Sequence, residues 1–118
     1  DVIITGHVND KEKNKLYSKA FLYVFPSNDE GFGIPIIEAF SNKLPVICSD
    51  IKVFNEIGND AVLYFEKNNH EDLASRIELL INSNKLRLEL KNKGLKRLEI
   101  FSSDNFMSSY EKLFKSLK

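Results

Sequence analysis

Two carboxylates, Glu30 and Glu38, flank the loop and helix start in Pro26-Ser27-Asn28-Asp29-Glu30-Gly31-Phe32-Gly33-Ile34-Pro35-Ile36-Ile37-Glu38-Ala39, and they are the side chains here best suited to chemistry. An ionised carboxylate only accepts hydrogen bonds, so it holds hydroxyl groups through charge-assisted bonds and suits a polyhydroxylated ligand such as a sugar or a ribose. No lysine or arginine occurs between Lys19 and Lys43. Neither carboxylate has an ion-pair partner nearby in sequence, and both are expected to be free for a ligand. Taken alone, a glutamate near the start of a helix is more often a macrodipole partner or a solvated charge. Gly31 and Gly33 let the backbone approach a ligand closely, and the N–H groups of Gly31, Phe32, Gly33 and Ile34 could serve a phosphate.

These residues need a strand before them and a helix after them. The apolar, aromatic-rich run from Ala20 to Phe25 reads as a buried strand, which Pro26 stops by removing a backbone donor. Pro35 suits the first position of a helix that continues to about Asn42, with Ile36, Ile37 and Phe40 at helical spacing. The loop between them lies at the carboxyl end of a strand and the amino end of a helix, where α/β proteins place phosphate-bearing ligands. The same alternation recurs on both sides. Asp1 to Gly6 is a β-branched strand ended by glycine, and Asn9 or Asp10 caps a helix to about Lys19. Pro45 to Ser49 is a third strand, Lys52 to Ile57 a short helix, and Ala61 to Phe65 a fourth strand after the turn Gly58-Asn59-Asp60. The predicted fold class is therefore α/β, a Rossmann-like parallel sheet with flanking helices.

Beyond Phe65 only helices are predicted. Asn69 starts one whose Leu73, Ile77, Leu80 and Ile81 form an apolar face. Ser83 or Asn84 caps the next, which carries Leu86, Leu90 and Leu98, has basic residues at its exposed positions and Gly94 as a weak point, and runs to about Phe101. Ser102-Ser103-Asp104 caps a last helix with the stripe Met107, Tyr110, Phe114 and Leu117, expected to be core or docking surface.

Seventeen basic residues balance seventeen acidic ones, so the chain has no global field to attract nucleic acid or an anionic membrane. No apolar run approaches the roughly 20 residues that cross a bilayer, and no basic-then-apolar leader opens the sequence, which predicts a soluble, cytoplasmic protein. Cys48 is the only cysteine, and its apolar neighbours predict a buried, inert thiol. A length of 118 residues fits a single domain, 1–118, and is small for a complete two-substrate enzyme.

Several segments together carry a resemblance: Gly6-His7-Val8, Leu16-Tyr17, Pro26-Ser27, Glu30-Gly31-Phe32-Gly33-Ile34-Pro35 with Glu38-Ala39, Pro45-Val46-Ile47, Asn55-Glu56-Ile57-Gly58-Asn59-Asp60-Ala61 and Phe101-Ser102. The chain resembles the retaining glycosyltransferases of family 4, also called group 1. The resemblance implies a GT-B architecture of two Rossmann-like domains, of which this chain corresponds to most of the carboxyl-terminal, nucleotide-sugar (donor) binding domain, without its first strands and without the acceptor domain. It implies that Glu30 is the catalytic carboxylate against the donor sugar, that Glu38 holds the ribose, that Gly31, Phe32, Gly33 and Ile34 face the sugar and diphosphate, and that the loop around Val8 contacts the base. His7 beside it is a loop residue, read as a surface imidazole. The partners implied are a nucleoside-diphosphate sugar and, through the other domain, a glycan or lipid acceptor, with no metal and no cofactor. The full-length parent is expected to be cytoplasmic or peripheral at the membrane.

The resemblance also implies an Arg and Lys pair outside this chain that neutralises the diphosphate, so the isolated chain is expected to bind weakly and to be inactive. Two missing strands are expected to rearrange the strand pairing, to leave sheet edges that recruit a second copy, or to mark a chain excised from a longer protein. Transfer in such enzymes is described as front-face, with the departing phosphate helping to deprotonate the acceptor while Glu30 orients the sugar or, alternatively, acts as nucleophile. Three residues depart from the pattern. Lys43 stands where a glycine is usual, as a helix-end cation or as a residue that tilts the next strand, while Asn55 stands for proline and Ser103 for tryptophan, both expected to affect packing only. The rival reading is a non-catalytic sugar- or nucleotide-binding interaction module of the same fold. An unrelated dinucleotide domain would need a G-x-G-x-x-G turn, which Gly6-His7-Val8-Asn9-Asp10 does not supply.

Overall fold

A computed structural model describes residues 9–26 and 34–101. The predicted strand at 1–6, the predicted loop at 27–33 and the predicted helix beyond 102 lie outside the described residues.

Helix α1, Asp10–Lys19, begins where the Asn9 side chain accepts a hydrogen bond from the Glu12 N–H at 2.8 Å, the usual service of an N-cap asparagine. It closes at Ala20, whose N–H donates to the Tyr17 carbonyl. Strand β1 is therefore Tyr23–Phe25, shorter than the run Ala20 to Phe25 suggests. Ala20 is used in ending the helix, and Phe21 stays exposed beneath the Arg87 guanidinium, 4.4 Å from its ring centroid. Next come α2 at Ile34–Ser41, β2 at Val46–Ser49, α3 at Lys52–Gly58, β3 at Leu63–Phe65, α4 at His70–Asn82 and α5 at Asn84–Phe101. β3 also starts later than predicted, because Ala61 and Val62 are buried in the turn that leaves α3.

The three strands pair in parallel in the order β1-β2-β3, with Val24 opposite Ile47 and Ile47 opposite Leu63. Every residue of β2 is buried, as a central parallel strand covered on both faces must be. The period of two along it separates two cores. Val46 and Cys48 join Ile36, Ala39 and Phe40 of α2 and Val53, Phe54 and Ile57 of α3. Ile47 points the other way, into Phe65, Leu80 and Leu90. The Cys48 thiol is buried as expected, and burial, followed by the charge of Asp50, pushes its pKa up to about 12.

Helix α5 touches both cores, giving Leu86 and Leu90 to one and Leu98 and Phe101 to the other. Gly94 lies where it crosses α2. A Cβ there would stand 2.7 Å from Cδ1 of Phe40, so the glycine expected to be a weak point in the helix is instead what lets the two helices meet. The expected basic surface of α5 is also corrected. Its solvent-facing positions mix Lys85 and Lys96 with Glu89 and Glu99, while Arg87 and Arg97 turn back onto the protein. Arg87 Nη1 donates to the carbonyls of Leu80 and Ile81, and Arg97 donates through Nε and Nη2 to those of Ile57 and Glu56. Each arginine thus satisfies the open carbonyls at the end of another helix. On α4, Leu80 is buried and Leu73 and Ile77 pack beside it, but Ile81 is 52% exposed and lies outside the apolar face predicted for it. No helix among the described residues is long and apolar enough to cross a membrane.

Candidate functional site

Of the residues singled out from the sequence, Glu30, Gly31, Phe32, Gly33, Val8 and His7 lie outside the described residues. Ile34 opens α2, and Glu38 lies in its second turn, with no acidic residue in the first. The positive end of a helix acts mainly on its first turn, so Glu38 is not a macrodipole partner.

Nor is it free of cations, as the sequence suggests. Lys13 of α1 brings its Nζ within 3.4 Å of Glu38 Oε1 and within 3.4 Å of Oε2. The pair is half-exposed, and the same ammonium stands 3.9 Å from the exposed Asp10. The long stretch without positive charge is real in the sequence. Helix packing nevertheless closes a separation of 25 residues.

The geometry follows from helical spacing. Asp10, Lys13 and Tyr17 recur at intervals of three and four on one face of α1, and Ser41 and Asn42, at and just past the end of α2, follow Glu38 by three and four residues. Where the two faces meet, Asp10, Lys13, Glu38, Ser41 and Asn42 line a polar recess of about 400 Å³. Ser41 Oγ and Asn42 Nδ2 donate to the Glu38 carbonyl at 2.7 and 2.8 Å, which holds the backbone there. Beside the recess, and sharing Lys13 with it, Leu16, Tyr17, Ala20, Tyr23 and Leu44 line an apolar cavity of about 250 Å³.

Tyr17 joins the two. Its ring meets that of Tyr23 edge-on at 5.7 Å. Burial first, and then the neighbouring Tyr23 and the negative charge of Glu38, raise its pKa well above the usual phenol range. Tyr23 is raised as well, chiefly by burial. Both phenols therefore stay protonated at neutral pH, and the Tyr17 hydroxyl is engaged by its neighbours Glu38 and Tyr23. Lys13, Tyr17 and Tyr23 were not identified as site residues from the sequence. The available signal was the i, i+4 spacing of Lys13 and Tyr17, which sets both on one face of α1 once the helix is assigned.

Two departures from the expected pattern have structural roles here. Asn55 does more than pack: its Nδ2 donates to Asp50 Oδ1 at 2.7 Å and to the Ile51 carbonyl at 2.9 Å, tying the start of α3 to the loop that leaves β2. Lys43 has a φ of 59°, its N–H bonds to the Phe40 carbonyl, and the N–H of Leu44 bonds to that of Ala39. This is a Schellman ending, in which the backbone of Lys43, not its ammonium, satisfies α2.

Comparison with known proteins places this arrangement in context. Residues 1–97 match the family described as Glycosyl transferases group 1. The chain is 46% identical over 77 residues to the O-antigen chain mannosyltransferase RfbU of Salmonella typhimurium, covering 65% of this chain and 22% of that protein. It is 34% identical over 100 residues to O-antigen chain mannosyltransferase B of Escherichia coli, covering 85% of this chain and 26% of that protein. Among solved structures it is similar to the C-terminal domain of a glycosyl transferase group 1 family protein (LpcC) from Francisella tularensis, with a TM-score of 0.72 and 25% identity, covering 82% of this chain and 51% of that chain. The chain spans about a quarter of the length of these curated relatives.

Proposed function

The chain belongs to the group 1 glycosyl transferases, and from that membership we propose that it is the donor-binding domain of a retaining enzyme that moves a hexose from a nucleoside-diphosphate sugar to a glycan or lipid acceptor. The hexose is proposed to be mannose, the sugar in the names of two relatives, RfbU and mannosyltransferase B. Glu38 would accept hydrogen bonds from the ribose, the N–H groups from Gly31 to Ile34 would meet the diphosphate, and Glu30 would orient the donor sugar. In the step itself the anomeric C–O bond to the diphosphate breaks, and the acceptor oxygen bonds to the same face of that carbon. The departing phosphate takes the acceptor proton. Transfer without a bound metal, and an isolated chain that binds a donor but does not turn it over, are parts of the same proposal.

The observation that carries this reading is the Glu38 carboxylate, held on the second turn of α2 at the rim of an open polar recess. Its side chain is 33% exposed and has acceptor capacity left beyond Lys13. The test is calorimetric titration of the chain and of Glu38→Ala with guanosine, uridine and adenosine diphosphates. Loss of a hydrogen bond to a charged group lowers affinity by roughly tenfold or more for the base that binds. An affinity indifferent to Glu38 removes the ribose assignment.

A further inference from the structure

We propose that Lys13 is a positioning residue for Glu38: its ammonium, 3.4 Å from each carboxylate oxygen, fixes the orientation in which that carboxylate receives the ribose hydroxyls. The inference rests on the donor-site reading above and adds to it a residue from a different helix.

Three observations support it. A glutamate side chain turns about three torsions, and with a side-chain exposure of 33% burial alone does not select a single rotamer. Contact with both oxygens at once does select one. Second, an ion pair as exposed as this one adds little to stability, so removing it leaves the fold intact and a change in ligand selectivity can be read separately. Third, Tyr17, one helical turn from Lys13 and itself braced edge-on by Tyr23, also neighbours the carboxylate. A carboxylate offers about four lone-pair sites, and the lysine contacts leave acceptor capacity on each oxygen for ribose hydroxyls. The lysine also offsets the repulsion between Glu38 and an approaching diphosphate. That charge effect is the same whether or not the sugar has its 2′-hydroxyl, so it can be separated from positioning.

The measurement is NMR titration of the 118-residue chain, Glu38→Ala, Lys13→Met, Lys13→Arg and the Glu38→Ala/Lys13→Met double variant. The probes are guanosine, uridine and adenosine diphosphates and their 2′-deoxy counterparts, and the readout is the ratio of ribo to 2′-deoxy affinity. Methionine keeps the helix propensity and length of lysine, so the fold is retained. The unaltered chain is expected to prefer the ribo form by roughly tenfold, and Glu38→Ala to abolish that preference. Lys13→Met should cut it to about threefold or less, Lys13→Arg should keep most of it, and the double variant should match Glu38→Ala alone. A Lys13→Met chain with its ribo preference intact or increased overturns the positioning role, whatever happens to its overall affinity, and leaves the ribose reading standing. An unaltered chain that shows no ribo preference, or binds neither form, overturns the ribose reading and the positioning role together.

Discussion

Lys43 sits in left-handed backbone at the end of α2, where glycine is the usual residue. An L-residue gives up about 1–2 kcal/mol in that conformation, whereas glycine costs about 0.4–1 kcal/mol through the greater freedom of the unfolded chain. The first effect is larger. Lys43→Gly is expected to raise stability by about 0.5–1 kcal/mol, read as a higher urea midpoint at unchanged slope. A lower midpoint would mean that the lysine side chain contributes something its exposed position does not suggest. Glu38 teaches a related lesson. Its residue type suggests a hydroxyl acceptor, but its charge environment depends on Lys13 and its neighbours Tyr17 and Tyr23, which reach it from other elements.

At the scale of elements, the α2 and α5 crossing turns on one absent side chain. Placing alanine at Gly94 gains about 1 kcal/mol of helix propensity, but the new Cβ meets the ring of Phe40, which is 1% exposed and cannot swing into solvent. Overpacking of this kind costs about 1–3 kcal/mol, so Gly94→Ala is expected to destabilise by about 1 kcal/mol net. Adding Phe40→Leu should recover part of the loss from the clash, measured as non-additivity in a double-mutant cycle. Stability equal to or above that of the unaltered chain would show that the ring yields without cost. Element types and order were largely legible beforehand, because capping residues such as Asn9 and Asn69 and the periods of 2 and 3.6 are local signals. Boundaries were less so: whether Ala20 ends a helix or begins a strand depends on where its N–H finds a partner.

For the whole molecule, burial of acidic protons ties stability to alkaline pH. Cys48 is raised from 9.0 to about 12, and Tyr17, Tyr23 and Tyr64 are raised as well, chiefly by burial. Below pH 9 the Cys48 contribution is fully present, since folded and unfolded chains both hold the proton. Between pH 9 and 12 the unfolded chain releases it while the native chain keeps it, so stability falls as pH rises, by at most about 1.4 kcal/mol per pH unit for one proton. The thermal midpoint should drop above pH 9, and Cys48→Ala should make the drop shallower; an equal slope in the variant would show that the tyrosines alone carry it. What the sequence determined by itself was the alternating α/β order, the parallel sheet, the inert thiol and the stretch in which Glu38 lies, because each is written in contiguous residues or a short period. Tertiary structure alone decided that Lys13 reaches Glu38, that Gly94 makes room for Phe40, and that Arg87 and Arg97 close other helices instead of forming a basic face. Those outcomes depend on which helix faces meet across the core, and a lysine 25 residues away in the chain becomes a neighbour only after α1 and α2 have packed.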